Sequence, residues 1–136
     1  MDIFRAIEKN NIKKVKKLLD DGMDINMKDS SGSNALIIAV AYTTSPRMVQ
    51  LLIDKGIDIN VRNNYGMTAL MLAVSYRKTK LVKLLLATGA NINKKNRDGN
   101  TALMMAKEEE YEFKSISKKY KKIAQLIDKH KQKKAR

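Results

Sequence analysis

The sequence contains no cysteine and no tryptophan, and only one proline and one histidine. Without cysteine there are no disulfides, no thiolate nucleophile and no cysteine-ligated zinc. The single His130 sits among lysines near the end of the chain, which removes histidine metal clusters and serine triads. Aromatic residues amount to 5%. The longest nearly pure apolar run, Ala35 to Tyr42, is eight residues, against about 20 for a membrane-spanning helix. Met1 to Asn11 lacks the apolar centre of a signal peptide. A cytoplasmic location is therefore expected, with export to a host cell left open. The glycine spacings match neither GxGxxG nor GxxxxGKS/T, so no phosphate-binding loop is read. The chain is expected to be non-enzymatic, with no cofactor and no metal.

Apolar residues and positive charge are present in quantity. Hydrophobic residues make up 43% of the 136, enough for a core. Lysine and arginine number 28 against 14 acidic residues, a formal net charge of +14. Lysine outnumbers arginine 22 to 6, and asparagine and isoleucine are also abundant. An AT-rich coding sequence produces this bias without any acidic partner. A positive field steers anionic partners whatever its origin, but does not identify them.

The sequence repeats itself with a period of 33–34 residues. Gly22, Gly56 and Gly89 are separated by 34 and 33 residues, as are Gly32, Gly66 and Gly99, and Asn26, Asn60 and Asn93. The matching stretches read GMDINMKDSSGSNALIIA, GIDINVRNNYGMTALMLA and GANINKKNRDGNTALMMA. Each copy decodes into the same parts. Asn34, Thr68 and Thr101 are candidate helix N-caps. A short alanine-bearing helix follows, then a turn, then a second helix with apolar spacing. That second helix carries Val15-Leu18-Leu19, Val49-Leu52-Ile53, Val82-Leu85-Leu86 and Ile123-Leu126-Ile127 in turn. Ser45-Pro46 suits a cap followed by proline at the first helical position. Gly22, Gly56 and Gly89 are placed to end the second helices. The Asn-, Asp- and Ser-rich residues after them read as projecting turns or hairpins.

These stretches resemble the ankyrin-repeat family, whose motif runs D-x-x-G-x-T-P-L-H-x-A, then V-x-x-L-L in a second helix, then G-A-D-V-N. The resemblance covers nearly the whole chain and implies an all-α solenoid of stacked helix-turn-helix units. The expected units are 1–26, 27–60, 61–93 and 94–136. The motif's proline is Ala35, Ala69 and Ala102 here, and its histidine is Ile37, Met71 and Met104. Apolar packing is expected in place of the histidine network, and Met71, Met104 and Met105 are read as core filler.

The second helices suggest which units are terminal. The positions flanking the motif valine hold Lys14, Met48, Leu81 and Lys122, and then Lys17, Leu51, Leu84 and Gln125. That face is apolar only in the two middle units, so the outer two are expected to act as polar caps of a complete array. The last unit also carries eight extra residues between its helices. Phe113, Ile116, Tyr120, Ile123 and Ile127 recur at helical spacing, and a turn is expected near Glu110–Ser117 rather than one helix across Ala102 to Lys134. The acidic run Glu108, Glu109, Glu110 and Glu112 reads as a solvated helix face, since cation sites need converging oxygens.

The resemblance implies protein recognition through the concave face made by turn tips and first helices. Carried over unit by unit, the site residues are Ser30, Ser31, Ser33 and Tyr42, then Arg62, Asn64, Tyr65, Met67, Ser75 and Tyr76. Lys95, Arg97 and Asn100 follow from the last unit. The residues agree on one point: Tyr42, Arg62, Tyr65 and Tyr76 fall where the core pattern needs nothing, and Tyr and Arg are enriched in binding hot spots. The four units carry net charges of +1, 0, +5 and +8. Lys118, Lys119, Lys121 and Lys122 are therefore candidate anion-binding residues, and a nucleic acid or another anionic surface is the alternative ligand. Little aromatic interleaving accompanies them for stacking bases. The expected partner is another protein with an acidic patch, bound by a monomer. An adaptor, a toxin-immunity or inhibitor protein and a secreted effector are equally compatible with the residues.

Overall fold

The computed structural model describes residues 2–112 and 117–135. Among these residues there are eight helices. The first pair is α1 (Ile3–Glu8) and α2 (Ile12–Asp20), and the second is α3 (Ala35–Tyr42) and α4 (Pro46–Asp54). They are followed by α5 (Ala69–Ser75) with α6 (Thr79–Ala87), and α7 (Ala102–Glu112) with α8 (Ser117–Ala135). Within each pair the helices pack together; α1, α3, α5 and α7 stack into one layer, and α2, α4, α6 and α8 into a second. The fold is an all-α solenoid.

Helices of six to nine residues are too short to persist alone in water, so the stack is what holds them. The inner helix α3 is buried along its length from Ala35 to Val40, which explains why its sequence shows no polar face. Outer helices keep one apolar stripe: Val15 in α2, Met48, Val49 and Leu52 in α4, Leu81, Val82, Leu85 and Leu86 in α6. In α8 the stripe is Tyr120, Ile123, Ala124 and Ile127. Met48 and Leu81 are buried where Lys122 is exposed and Lys14 only partly covered. Ile37 and Met71 fill the core, at 3% and 1% exposure, but Met104 is 49% exposed and is not core filler. Among the described residues no inner helix follows α7 as α5 follows α3, so Met104 has no later unit to cover it.

The N-caps form as the sequence suggests. Asn34 Oδ1 accepts from the Ile37 N–H at 3.1 Å, and Thr68 Oγ1 from Met71 N–H at 3.2 Å. Thr101 Oγ1 accepts from Met104 N–H at 3.3 Å, and Ser45 Oγ from Met48 N–H at 3.4 Å. In the last unit α7 and α8 are separate helices packed on each other. Residues 113–116, with Phe113 and Ile116 of the expected stripe, lie outside the described residues.

The projecting segments repeat one device three times. Asp29, Asn63 and Asn96 each accept, on one side-chain oxygen, the N–H groups two and four residues later, at 2.9–3.0 Å. Each tip is closed by a backbone bond across it, Asp29 N–H to Ser33 O, Asn63 N–H to Met67 O and Asn96 N–H to Asn100 O. Gly66 stands at φ +74°, and a Cβ there would lie 2.7 Å from the Arg97 backbone nitrogen. Gly99 has a similar φ of +82° but open space around it. Gly99→Ala should therefore cost about 1 kcal/mol, the conformational penalty alone. Gly66→Ala should cost about 2–3 kcal/mol, because the next tip must also shift. Urea denaturation of the two variants side by side measures the difference.

Candidate functional site

The tips are joined to one another, and this positions the surface. Asn64 donates its N–H to Ser31 O at 2.8 Å and its Nδ2 to Ser30 O at 3.2 Å. One unit on, Arg97 repeats the arrangement with its N–H on Tyr65 O at 3.3 Å and its guanidinium on Asn64 O at 3.2 Å. Arg62 reaches Lys95 O at 2.8 Å. Deeper, Asn60 Oδ1 accepts from Asn91 N–H at 2.7 Å, and Asn34 Nδ2 donates to Asp58 O at 2.9 Å. Side chains from three units thus line up in a row at fixed spacing.

Ser30, Arg62, Asn64, Tyr65, Lys95 and Arg97 are exposed along this row, with Tyr65 65% exposed. Arg62, Asn64 and Arg97 spend part of their donor capacity on the neighbouring tip. Ser31, Met67 and Asn100 are half-buried. Ser33 is buried, its hydroxyl 3.0 Å from Ser31 Oγ and within reach of Asn63 Nδ2, so it offers little to a partner. Tyr42 and Tyr76 are 60% and 51% exposed. They belong to the opposite end of the first helices, roughly 10 Å from the tips by helix rise. The half-buried Ser75 lies beside Tyr76. The candidate residues therefore form two margins, tips on one side and tyrosines on the other, with the inner helices between them.

Lys118, Lys119, Lys121 and Lys122 are all exposed on α8. The ion pairs among the described residues involve other lysines: Lys17 with Asp21 at 3.1 Å and Lys55 with Asp20 at 2.6 Å. The second pair ties α2 to α4, and the hydrogen bond from Lys55 lowers the Asp20 pKa. Among the described residues no three His, Cys, Asp or Glu side chains converge as a metal site would require.

Two cross-unit contacts had no counterpart in the sequence reading. Lys78 stands at the N-cap of α6 without capping it. Its ammonium reaches back one unit to the Val40, Ala41 and Thr43 carbonyls at the end of α3. It also lies 5.3 Å from the Tyr76 ring centroid, a cation–π contact that fixes this tyrosine. Burial lowers the Lys78 pKa. In the next unit Tyr120, buried to 2%, donates its hydroxyl to Ser75 O at 3.0 Å. Arg77, in a left-handed conformation at φ +56°, sets its guanidinium 5.9 Å from the Tyr120 ring. The signal for Lys78 was a missing cap: Asn11 and Ser45 hold the same place in other units and do cap their helices.

A family model for ankyrin repeats, in three copies, matches residues 3–96 and 44–133. The chain belongs to the ankyrin-repeat family. No curated protein matches it. Ankyrin repeats are generally protein–protein interaction modules, and the family is typically non-catalytic. No described helix is long and apolar enough to cross a membrane.

Lys78→Met keeps the aliphatic stem and deletes three charge-assisted bonds, so it should cost about 1.5–3 kcal/mol in urea denaturation. The Asp29 carboxyl supplies a pH-dependent counterpart. Burial opposes its ionisation, but hydrogen bonds from the Ser31 hydroxyl and the Ser33 and Ser31 N–H groups prevail, and its pKa falls below 3.8. Its contribution is thus complete above the unfolded pKa and is lost as pH falls through the folded one. Asn63 and Asn96 make the same bonds uncharged, so Asp29→Asn should fold at pH 7 and lose less stability than the parent between pH 7 and pH 3. Thermal melts at both pH values test this.

Proposed function

We propose that this ankyrin array binds a partner protein across its concave side, gripping it between the tip row and the far tyrosines. The observation that carries the reading is the exposure of Tyr42, Tyr65 and Tyr76, at 60%, 65% and 51%. Solvent gains nothing from three large exposed aromatic rings on a small chain. A binding partner gains much, because Tyr supplies area and a hydroxyl at low entropy cost. Tyr76 is held in place without being covered, its ring lying against the Lys78 ammonium. A preordered anchor loses less entropy on binding.

Charge supports an acidic patch on the partner. Arg62, Lys95 and Arg97 are exposed together at the tips, with Asp98 the one exposed acid there and Asp29 half-buried. The partner's identity is open to direct capture with the full chain as bait. Once it is captured, Tyr65→Ala and Tyr76→Ala should each weaken binding at least about tenfold, measured by calorimetry, with circular dichroism showing an unchanged helix content. Truncation of residues 129–136 should leave the affinity within about twofold, since rim charges on another face act weakly at physiological salt. The reverse pattern, loss on truncation and indifference to the tyrosines, would transfer the activity to the basic α8.

A further inference from the structure

The outer layer carries a feature that the concave reading does not use. In the repeat register Ile123 of α8 corresponds to Val82 of α6. α6 ends at Ala87, whereas α8 continues to Ala135. The longer helix therefore overhangs its neighbour by roughly 10 Å at 1.5 Å per residue. Where it does so, the two helices leave a groove of about 240 Å³. Lys83, Leu86 and Ala87 line it from α6. From α8 come Leu126, Lys129, His130 and Lys133, spaced three and four apart on one helix face.

The lining has two chemistries. Leu86, Ala87 and Leu126 make an apolar floor, and Lys83, Lys129 and Lys133 are exposed around it. None of these three lysines takes part in an ion pair among the described residues. Nor is the end of α6 calling on them: Thr88 Oγ1 already donates to the Leu84 and Leu85 carbonyls at 2.8 and 3.3 Å. Asp128, the one acid of α8, is not part of the lining. His130 Nε2 is buried and has no hydrogen-bond partner among the described residues, an arrangement that normally costs stability.

Size and chemistry select the occupant. Small-molecule and cofactor sites typically begin near 300 Å³, so this groove suits one or two side chains of a polypeptide. A nucleic acid would find no Phe, Tyr or Trp here to stack a base upon, and an apolar floor between the lysines that makes no use of a phosphate backbone. We infer that the α6–α8 groove is a second binding site, on the outer layer, for an acidic peptide segment anchored by one aliphatic side chain. The aliphatic group rests on Leu86 and Leu126, and carboxylates on either side meet the three lysines.

The test uses the full ¹⁵N-labelled chain titrated with a short acetylated peptide in which one leucine is flanked by aspartates and glutamates. Saturable chemical-shift changes should concentrate on Leu86, Ala87, Leu126 and His130. The variant Lys83→Glu/Lys129→Glu/Lys133→Glu should abolish them. The charge-matched variant Lys118→Glu/Lys119→Glu/Lys122→Glu should keep at least half the affinity. Replacing the peptide leucine by serine should weaken binding about tenfold, the loss expected for one buried aliphatic group. Equal loss in both lysine variants, or indifference to the leucine, would reduce the site to general attraction between polycation and polyanion and overturn the inference. So would tighter binding by a duplex oligonucleotide at the same residues, or shifts confined to the tips. Because the groove and the concave tyrosines share no residue, failure here leaves the concave reading untouched, and the converse holds.

Discussion

No helix pair in this protein can bury its own apolar surface, and everything else follows from that constraint. α3 is the plainest instance, since six consecutive residues from Ala35 to Val40 are buried, and one partner helix covers one side only. The other sides are closed by α1 and α5. Stability in such an array is a sum over neighbours rather than a property of one centre. The polar contacts obey the same rule. Lys78 and Tyr120 each reach back from one unit to the carbonyls ending the inner helix of the unit before. Asn60 bonds forward to the backbone of the unit after, while Asn34 ties the inner helix to the far end of its own unit.

This organisation explains what could be read from residues alone. Anything repeated was legible, because three copies of a short signal are easier to read than one. The caps at Asn34, Thr68 and Thr101, the turn residues and the apolar stripes all occur at fixed intervals, and the structure has them in place. Contacts made once were not legible. Lys78 looks like any solvated lysine, and its destination depends on where the α3 carbonyls end in the folded chain. Met104 misled for the opposite reason. Its repeat position predicts burial, as for Ile37 and Met71, but burial there is supplied by the following unit and not by the residue's own.

The candidate site was legible in part for the same reason. Repeat position put Tyr65 and Arg97 on the tips correctly. It could not separate Ser33, whose side chain turns inward to Ser31 and Asn63, from Ser30, which stays outside. Nor did it show that Arg62, Asn64 and Arg97 act as struts between tips as well as surface groups. The groove beside His130 escaped detection because it arises from a difference in helix length between two units. Repeat comparison suppresses such differences.

The tip ladder divides labour among neighbouring positions along the chain. Main-chain groups and the side chains of Asp29, Asn63 and Asn96 hold each turn, and Asn64 and Arg97 brace it against the one before. The very next side chains, Tyr65 and Asp98, make no bond that the architecture requires. One is a large ring and the other a small acid, yet the backbone around them is the same. In the proposed reading, recognition at these tips is thus written in characters that can be changed one at a time. The page they are written on does not have to be redrawn.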